Sequence, residues 1–188
     1  MVEGTVQPRF WNVPNALSMV RLALSVVVFA LIANNAYLAA VVVFALAALT
    51  DALDGYFARL LNQSTAIGRQ LDPLIDKVIV AGAYIYLVTI PGTGLAPWMV
   101  TIIVIRELLI QGLRSLLEGQ GTAFGAKLAG KLKMVFQCFS IVAILLCLAW
   151  SPGPSWLLAR DVLTYAAVLL TLYSGLGYIA SAFPSIRG

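Results

Sequence analysis

The chain has 188 residues, 61% of them hydrophobic and 11% charged, with a formal net charge of +4 and a mean hydropathy of +0.95. That composition excludes a water-soluble globular domain and reads as a single all-α integral membrane domain over 1–188, a bundle of six transmembrane helices. Long continuous apolar runs disfavour a transmembrane β-barrel, which needs alternation, and no nucleic-acid motif accompanies the positive charge.

Residues 1–13 form a polar to amphipathic lead-in in which Phe10 and Trp11 suit a membrane interface, and they lack the pattern of a removable signal peptide. Pro14 suits the first turn of a helix, and the first span is expected over 16–33. Asn34-Asn35 makes a turn, and the second span runs over 37–60. Residues 60–71, with Asn62, Gln63, Ser64, Thr65 and Gly68, read as a polar loop folding the chain back. The third span is expected over 71–90, ended by Pro91-Gly92-Thr93-Gly94, the fourth over 97–117, the fifth over 128–150 after a glycine-rich loop, and the sixth over 156–183 after Ser151-Pro152-Gly153-Pro154.

Six spans put both termini on one side, where the loops hold Arg9, Arg59, Arg69, Arg114, Lys127, Lys131, Lys133 and Arg187, whereas the opposite turns offer only Arg160. The bias of positive charge predicts that the termini and the loop near residue 60 are cytoplasmic, and Trp98, Trp150 and Trp156 mark the other interface. Cys138 and Cys147, nine residues apart on one helix and so roughly 13 Å apart, cannot pair. They read as small buried apolar residues. Gly175 and Gly177 read as points of close helix packing.

Four of the eight acidic residues, Asp51, Asp54, Asp72 and Asp76, flank the loop at 60–71. The first two are spaced i, i+3 and the last two i, i+4, so each pair shares a helix face and the loop lets the pairs converge. Four carboxylates beside an apolar medium cannot all stay ionised without cations. Oxygen-only ligands, with no histidine in the chain and no cysteine nearby, favour Mg2+ or Mn2+, and four carboxylates suit two ions and in-line displacement at phosphorus. Gly55 and Ala58 remove bulk one turn below the first pair, and Arg59 offers a planar donor to phosphate. Alone, Gly55 or Ala58 reads as a packing notch; the four spaced acids are what point to a site.

Two further groups stand out. Arg106 and Glu107 lie deep in the fourth span with Gln111 and Arg114 near their face, which reads either as an internal salt bridge bracing the bundle or, with Lys131 and Lys133, as a pocket for a second, phosphorylated substrate. Asn15, Ser18 and Arg21 recur every third residue in the first span, as a helix cap with a snorkelling arginine or as a substrate contact. Lys127 reads as a headgroup-facing charge.

The string D-x2-D-G-x2-A-R-x8-G-x3-D-x3-D over 51–76 resembles the signature of the CDP-alcohol phosphotransferase family at all eight fixed positions. The resemblance implies that Asp51, Asp54, Asp72 and Asp76 hold two divalent metal ions, that Asp76 is also the general base, and that Asp54, Gly55, Ala58, Arg59 and Gly68 cradle the CDP group. N-V-P-N-A-L-S-x2-R, A-R-L-L-N-Q-S-T-x2-G-x3-D-P-x2-D-K, R-E-x6-R and G-K-x-K with Gln137 are similar to the family's bacterial phosphatidylglycerophosphate synthases, with Met134 as a departure where threonine is expected. This implies CDP-diacylglycerol and glycerol 3-phosphate as substrates, CMP as a product, the bacterial inner membrane as location and a homodimer. Inositol phosphate, serine or phosphatidylglycerol as acceptor, and a divalent-cation carrier using the same acids, are the alternatives.

Overall fold

In the computed structural model the described backbone covers residues 13–61, 66–119, 128–151 and 153–187, with side chains described for 16, 18–50, 75, 77–116, 130–151 and 153–181. These residues form six helices and no strand: α1 (Val13–Ala33), α2 (Tyr37–Leu61), α3 (Ala66–Leu87), α4 (Pro97–Gly119), α5 (Leu128–Trp150) and α6 (Pro154–Arg187).

The turns follow from local chemistry. Asn35 takes a left-handed conformation at φ 59°, and the amides of Asn35 and Ala36 reach back to the carbonyls of Ile32 (3.0 Å) and Leu31 (2.9 Å). That pairing satisfies the last carbonyls of α1 and needs a residue tolerant of positive φ, which asparagine is. Beyond α3 the left-handed positions fall on Gly92 (φ 83°) and Gly94 (φ 73°). Pro154 opens α6 at a position where no amide donor is required.

Three expected boundaries shift. The loop expected over 60–71 gives way to helix, since α2 runs to Leu61 and α3 begins at Ala66. Polar residues such as Arg69 and Gln70 are at home in a helix's first turns, so polarity there did not signal a loop. α3 stops at Leu87 rather than 90, because the amides of Thr89 and Ile90 bond three residues back, to Tyr86 and Leu87, and tighten the chain into a turn. α6 spans 34 residues, about 51 Å at 1.5 Å per residue, and outruns the expected 156–183.

The bundle is apolar outside and holds its polar groups inside. Leu108, Leu109, Leu158, Leu169 and Leu176 are exposed, whereas Ser25, Gln137, Ser140, Thr164 and Thr171 are buried. A chain in water would do the reverse; lipid as solvent makes this arrangement stable. Segments 130–150 and 154–181 are long and apolar enough to cross a membrane, with mean hydropathies of 2.2 and 1.6. α1, α2 and α3 contribute shorter apolar stretches at 18–33, 37–50 and 77–87.

α5 packs along α6, α1 against α2 and α3, α4 against α6, and α2 against α5. Their shared core joins Val28 and Ile32 of α1, Phe44 of α2, Tyr84 and Leu87 of α3, Ile103 of α4 and Ile141 and Leu145 of α5. Hydrogen bonds set the register between helices. Gln137 Nε2 donates to Thr171 Oγ1 (2.9 Å), the Ser140 and Thr164 hydroxyls meet at 2.9 Å, and the Tyr84 hydroxyl donates to the Gln137 carbonyl (3.2 Å). Such bonds are directional in a way that apolar packing is not, so they select one rotation of α5 against α6.

Arg160, near the start of α6, is buried. Its Nη1 donates to the Gly92 carbonyl at 2.6 Å, and its Nη2 lies 2.7 Å from Asp161 Oδ1. A Cβ on Gly94 would lie 2.6 Å from that carboxylate oxygen and 2.8 Å from Arg160 Nη2. The cation noted for the opposite turns thus closes the α3–α4 connection onto α6.

Cys147 is buried and Cys138 only partly so, a departure from the expectation that both are buried. Gly175 marks a close approach, as expected, but a Cβ on Gly177 would meet nothing within 4 Å. Close packing at this stretch of α6 therefore belongs to Gly175.

Candidate active site

The polar cavity is built from four helices. α3 supplies Lys77, α4 supplies Arg106, Glu107, Gln111 and Arg114, α5 supplies Lys131, Lys133 and Gln137, and α6 supplies Tyr178, around a volume of about 270 Å3. The α4 set is legible as helix geometry: Glu107, Gln111 and Arg114 recur at four and three residues and share a face.

Glu107 lies at its centre. The side chain is 5% exposed and meets cations from three helices: Lys77 Nζ stands 3.4 Å from Oε2, Arg106 Nη1 stands 3.3 Å from Oε1, and Lys133 Nζ donates to Oε1. A carboxylate at this depth stays charged only because cations surround it, and the cations are held against one another's repulsion only because it is there. Among the described residues, one anion faces Lys77, Arg106, Arg114, Lys131 and Lys133, so the described lining is positive.

Arg106 is fixed from the α6 side. Its Nη2 donates to Ser174 Oγ at 2.9 Å, its Cζ stands 5.6 Å from the centre of the Tyr178 ring, and a Cβ on Gly175 would come within 3.0 Å of its Cγ. Ser174, Gly175 and Tyr178 lie at i, i+1 and i+4 and form a saddle for the guanidinium. Its Nε is buried and finds no hydrogen-bond acceptor among the described residues.

Lys131 is exposed and lines a second space as well, an apolar groove of about 650 Å3 between α2 and α5. The groove walls include Phe44, Ala47, Ala48, Met134, Phe139 and Val142, with Arg21 of α1 at the wall. Polar cavity and apolar groove meet at Val80, Lys131 and Met134, which line both.

The structure thus gathers Arg106, Glu107, Arg114, Lys131 and Lys133 around one cavity, in which Arg106 and Glu107 form the internal ion pair of the first reading. Arg21 and Ser18 are buried at 2% and 4% exposure, so Arg21 is not a snorkelling cation on the lipid face. Its α1 face packs toward α2 and α3, which withdraws the side chain from that surface. Asn15 sits in α1, but its side chain lies outside the described residues.

Asp51, Asp54, Gly55, Ala58 and Arg59 fall in the C-terminal part of α2, and Gly68, Asp72 and Asp76 in α3. Their side chains also lie outside the described residues, and among those described no group of three or more possible metal ligands gathers. The donor chemistry nevertheless fits hard divalent cations: two helices present four carboxylates, the chain has no histidine, and both cysteines belong to α5.

Sequence reasoning assigned no part to Lys77, Ser174 or Tyr178. Lys77 was visible as the last residue of the D-P-x2-D-K string, with no role attached to it. The stripe Thr171, Ser174, Tyr178 has helical spacing and was the available signal on α6, masked by residue types common in membrane helices.

Residues 11–173 match the sequence profile of CDP-alcohol phosphatidyltransferases. The chain is 34% identical to the CDP-diacylglycerol–glycerol-3-phosphate 3-phosphatidyltransferase of Bacillus subtilis (strain 168), over 94% of this chain and 98% of that protein. It is 34% identical to the protein of the same name from Pseudomonas fluorescens, over 94% and 92%, and 35% identical to that from Escherichia coli (strain K12), over 92% and 95%. With the eight-position acid motif split across α2 and α3 and a match reaching from α1 into α6, the chain belongs to the CDP-alcohol phosphatidyltransferase family.

Proposed function

We propose that the protein transfers the phosphatidyl group of CDP-diacylglycerol to sn-glycerol 3-phosphate, the transfer that the names of its relatives give for them, and that the products are phosphatidylglycerol phosphate and CMP, a step of phospholipid synthesis. The observation that carries the reading is the cationic cavity centred on Glu107, which adjoins the helix bearing Asp72 and Asp76. Its cations suit a phosphate monoester, and Glu107 and Gln111 can accept hydroxyl protons from a small polyol. A neutral acceptor such as serine leaves that charge unanswered. A cation carrier using the four aspartates would have to bring its cargo past a cavity lined, among the described residues, by five positive side chains and a single carboxylate.

In the proposed reaction the acceptor's phosphate is held by Arg106, Arg114, Lys131 and Lys133, and its C1 hydroxyl gives its proton to the Asp76 carboxylate. The hydroxyl oxygen bonds to the phosphorus that carries diacylglycerol, and the bond from that phosphorus to the CMP oxygen breaks, the electron pair leaving with CMP. Asp54, Gly55, Ala58, Arg59 and Gly68 receive the CDP group, and the apolar groove between α2 and α5 suits the diacyl chains. Two Mg2+ or Mn2+ ions on Asp51, Asp54, Asp72 and Asp76 would neutralise the pyrophosphate and stabilise the leaving group. Asn15, Ser18 and Arg21 belong to the donor side, where Arg21 lines the groove.

The reading includes six membrane spans, one for each helix, in a bacterial inner membrane, with the site and both termini cytoplasmic, and a homodimer. The loop cations on the side of the acid motif support that orientation, and so does Arg160, whose charge is internally paired and leaves the opposite side poorer in free cations. Exposed Trp98, Trp150 and Trp156 suit the outer interface.

The test is CMP release by purified protein in detergent with CDP-diacylglycerol, Mg2+ or Mn2+ and one acceptor at a time. Turnover is expected with glycerol 3-phosphate. In Asp76→Asn it should fall by about a thousandfold or more, as removal of a general base does, while CDP-diacylglycerol still raises the melting temperature. Turnover with inositol phosphate or serine in place of glycerol 3-phosphate would overturn the acceptor, and no CMP with any acceptor would overturn the reaction.

A further inference from the structure

Lys77 occupies a particular place in the chain. It follows Asp76 directly in α3, so the two share a peptide plane and cannot rotate about the helix axis independently. Its ammonium reaches across to α4, where Nζ stands 3.4 Å from Glu107 Oε2, with the two side chains 26% and 5% exposed. Glu107 spends its other oxygen, Oε1, on Arg106 and Lys133. Each carboxylate oxygen therefore has its own work: Oε2 faces α3, and Oε1 faces the cations of α4 and α5.

We propose that Lys77 is a positioning residue, and that its ion pair with Glu107 is the strut that holds α3, and with it Asp76, in register with the acceptor cavity. The assignment rests on the reading of Asp76 as the base and of the cavity as the acceptor site. Two observations separate a strut from one more phosphate ligand. Lys77 meets the carboxylate through the oxygen that Arg106 and Lys133 do not use, so an acceptor phosphate can compete for Oε1 partners without releasing Lys77. The anchor is also stiff: Glu107 is nearly fully buried, and its neighbour Arg106 is pinned to α6 by Ser174 and by the Tyr178 ring. α3 packs against α1 and α5 as well as α4, and apolar helix contact resists a small rotation of α3 less well than a directional ion pair does. The acceptor hydroxyl and its base must meet within a few tenths of an ångström, so a small rotation has a kinetic price.

The experiment compares wild type with Lys77→Met, Lys77→Arg, Glu107→Gln and the double variant Lys77→Met/Glu107→Gln, reading kcat and the KM of each substrate by CMP release. In Lys77→Met, kcat should fall by about tenfold to a hundredfold, the scale of an ångström-sized misplacement, with the KM for glycerol 3-phosphate changed less than about threefold. Lys77→Arg, which can span the same gap, should recover most of the loss. The double variant should be no slower than the slower single, because both substitutions cut the same strut. A Lys77→Met enzyme with unchanged kcat and a raised acceptor KM would overturn the proposal and make Lys77 a phosphate ligand, as would multiplying losses in the double variant. Should Lys77→Met fail to yield folded protein, Lys77→Arg and Lys77→Gln decide by the same split. Wild type that releases no CMP with glycerol 3-phosphate removes the functional reading itself, an outcome distinct from any pattern among the variants of an active enzyme.

Discussion

Glu107→Gln is the substitution on which the electrostatic account depends most directly. The exchange keeps the shape and one carbonyl oxygen but removes the charge that holds Lys77, Arg106 and Lys133 together. At the 3.3 and 3.4 Å separations of Arg106 and Lys77, each attraction is about 5 kcal/mol gross with an effective dielectric near 20. Desolvation of the buried groups offsets most of that, and removing one member of such a cluster costs about 3–5 kcal/mol net. Because glutamine keeps one acceptor, the lower end applies, and at roughly 2–4 °C per kcal/mol for a chain of this size the melting temperature should drop by about 6–12 °C. The assay is thermal unfolding of detergent-solubilised protein across a phosphate titration. Wild type and variant should differ most without phosphate and converge as it is added, since an external anion replaces the missing one, with up to about 2.7 kcal/mol recovered at a hundred times its dissociation constant. A variant melting within about 2 °C of wild type, or gaining no more from phosphate than wild type does, would refute the view that Glu107 neutralises the cavity.

Lys131→Ala and Arg114→Ala each remove a cation that lines the cavity, so each should raise the KM for glycerol 3-phosphate by about tenfold, the order of one charge-assisted contact. Equal effects on the KM for CDP-diacylglycerol would contradict the assignment of that cavity to the acceptor. In Gly175→Ala the new Cβ would stand 3.0 Å from Arg106 Cγ, so the arginine must move and the acceptor KM should rise; Gly177→Ala, with nothing within 4 Å, should leave both KM values unchanged. Arg160→Met should cost about 1–3 kcal/mol, seen as a lower melting temperature, with both KM values unchanged, because its partners Gly92 and Asp161 lie beyond the other end of α3. A changed acceptor KM in that variant would mean that the two ends of α3 are coupled.

The sequence by itself determined the lipid solvent, the helices and the spacing of the acid motif. Long apolar runs force backbone groups to bond within one helix, so six stretches separated by Asn34-Asn35, the polar residues near 62–65, Pro91-Gly92, the glycine-rich stretch near 119–125 and Pro152-Gly153 could only become helices and turns. The spacing of Asp51, Asp54, Asp72 and Asp76 is likewise local, since i, i+3 and i, i+4 positions share a face of any helix that forms. Boundaries at 60–71 and near 90 were less legible, because polar residues are tolerated at helix ends.

Tertiary structure alone decided which side of α3 meets α4, and so which cation meets which anion. Arg106 and Ser174 are 68 residues apart and Lys133 and Glu107 are 26 apart, separations at which periodicity carries no information. Lys77 reads in the sequence as the last residue of the D-P-x2-D-K string, with no role attached to it. It acquires a partner because packing of α3 beside α4 brings its ammonium to Glu107. Arg21 shows the same limit: its charge and depth were evident from the string, but whether it reached outward or turned inward depended on helices that its neighbours in sequence do not specify. Local pattern sets what each helix can present, and the rotation of one helix against another, chosen by the packing of the whole bundle, sets what it meets.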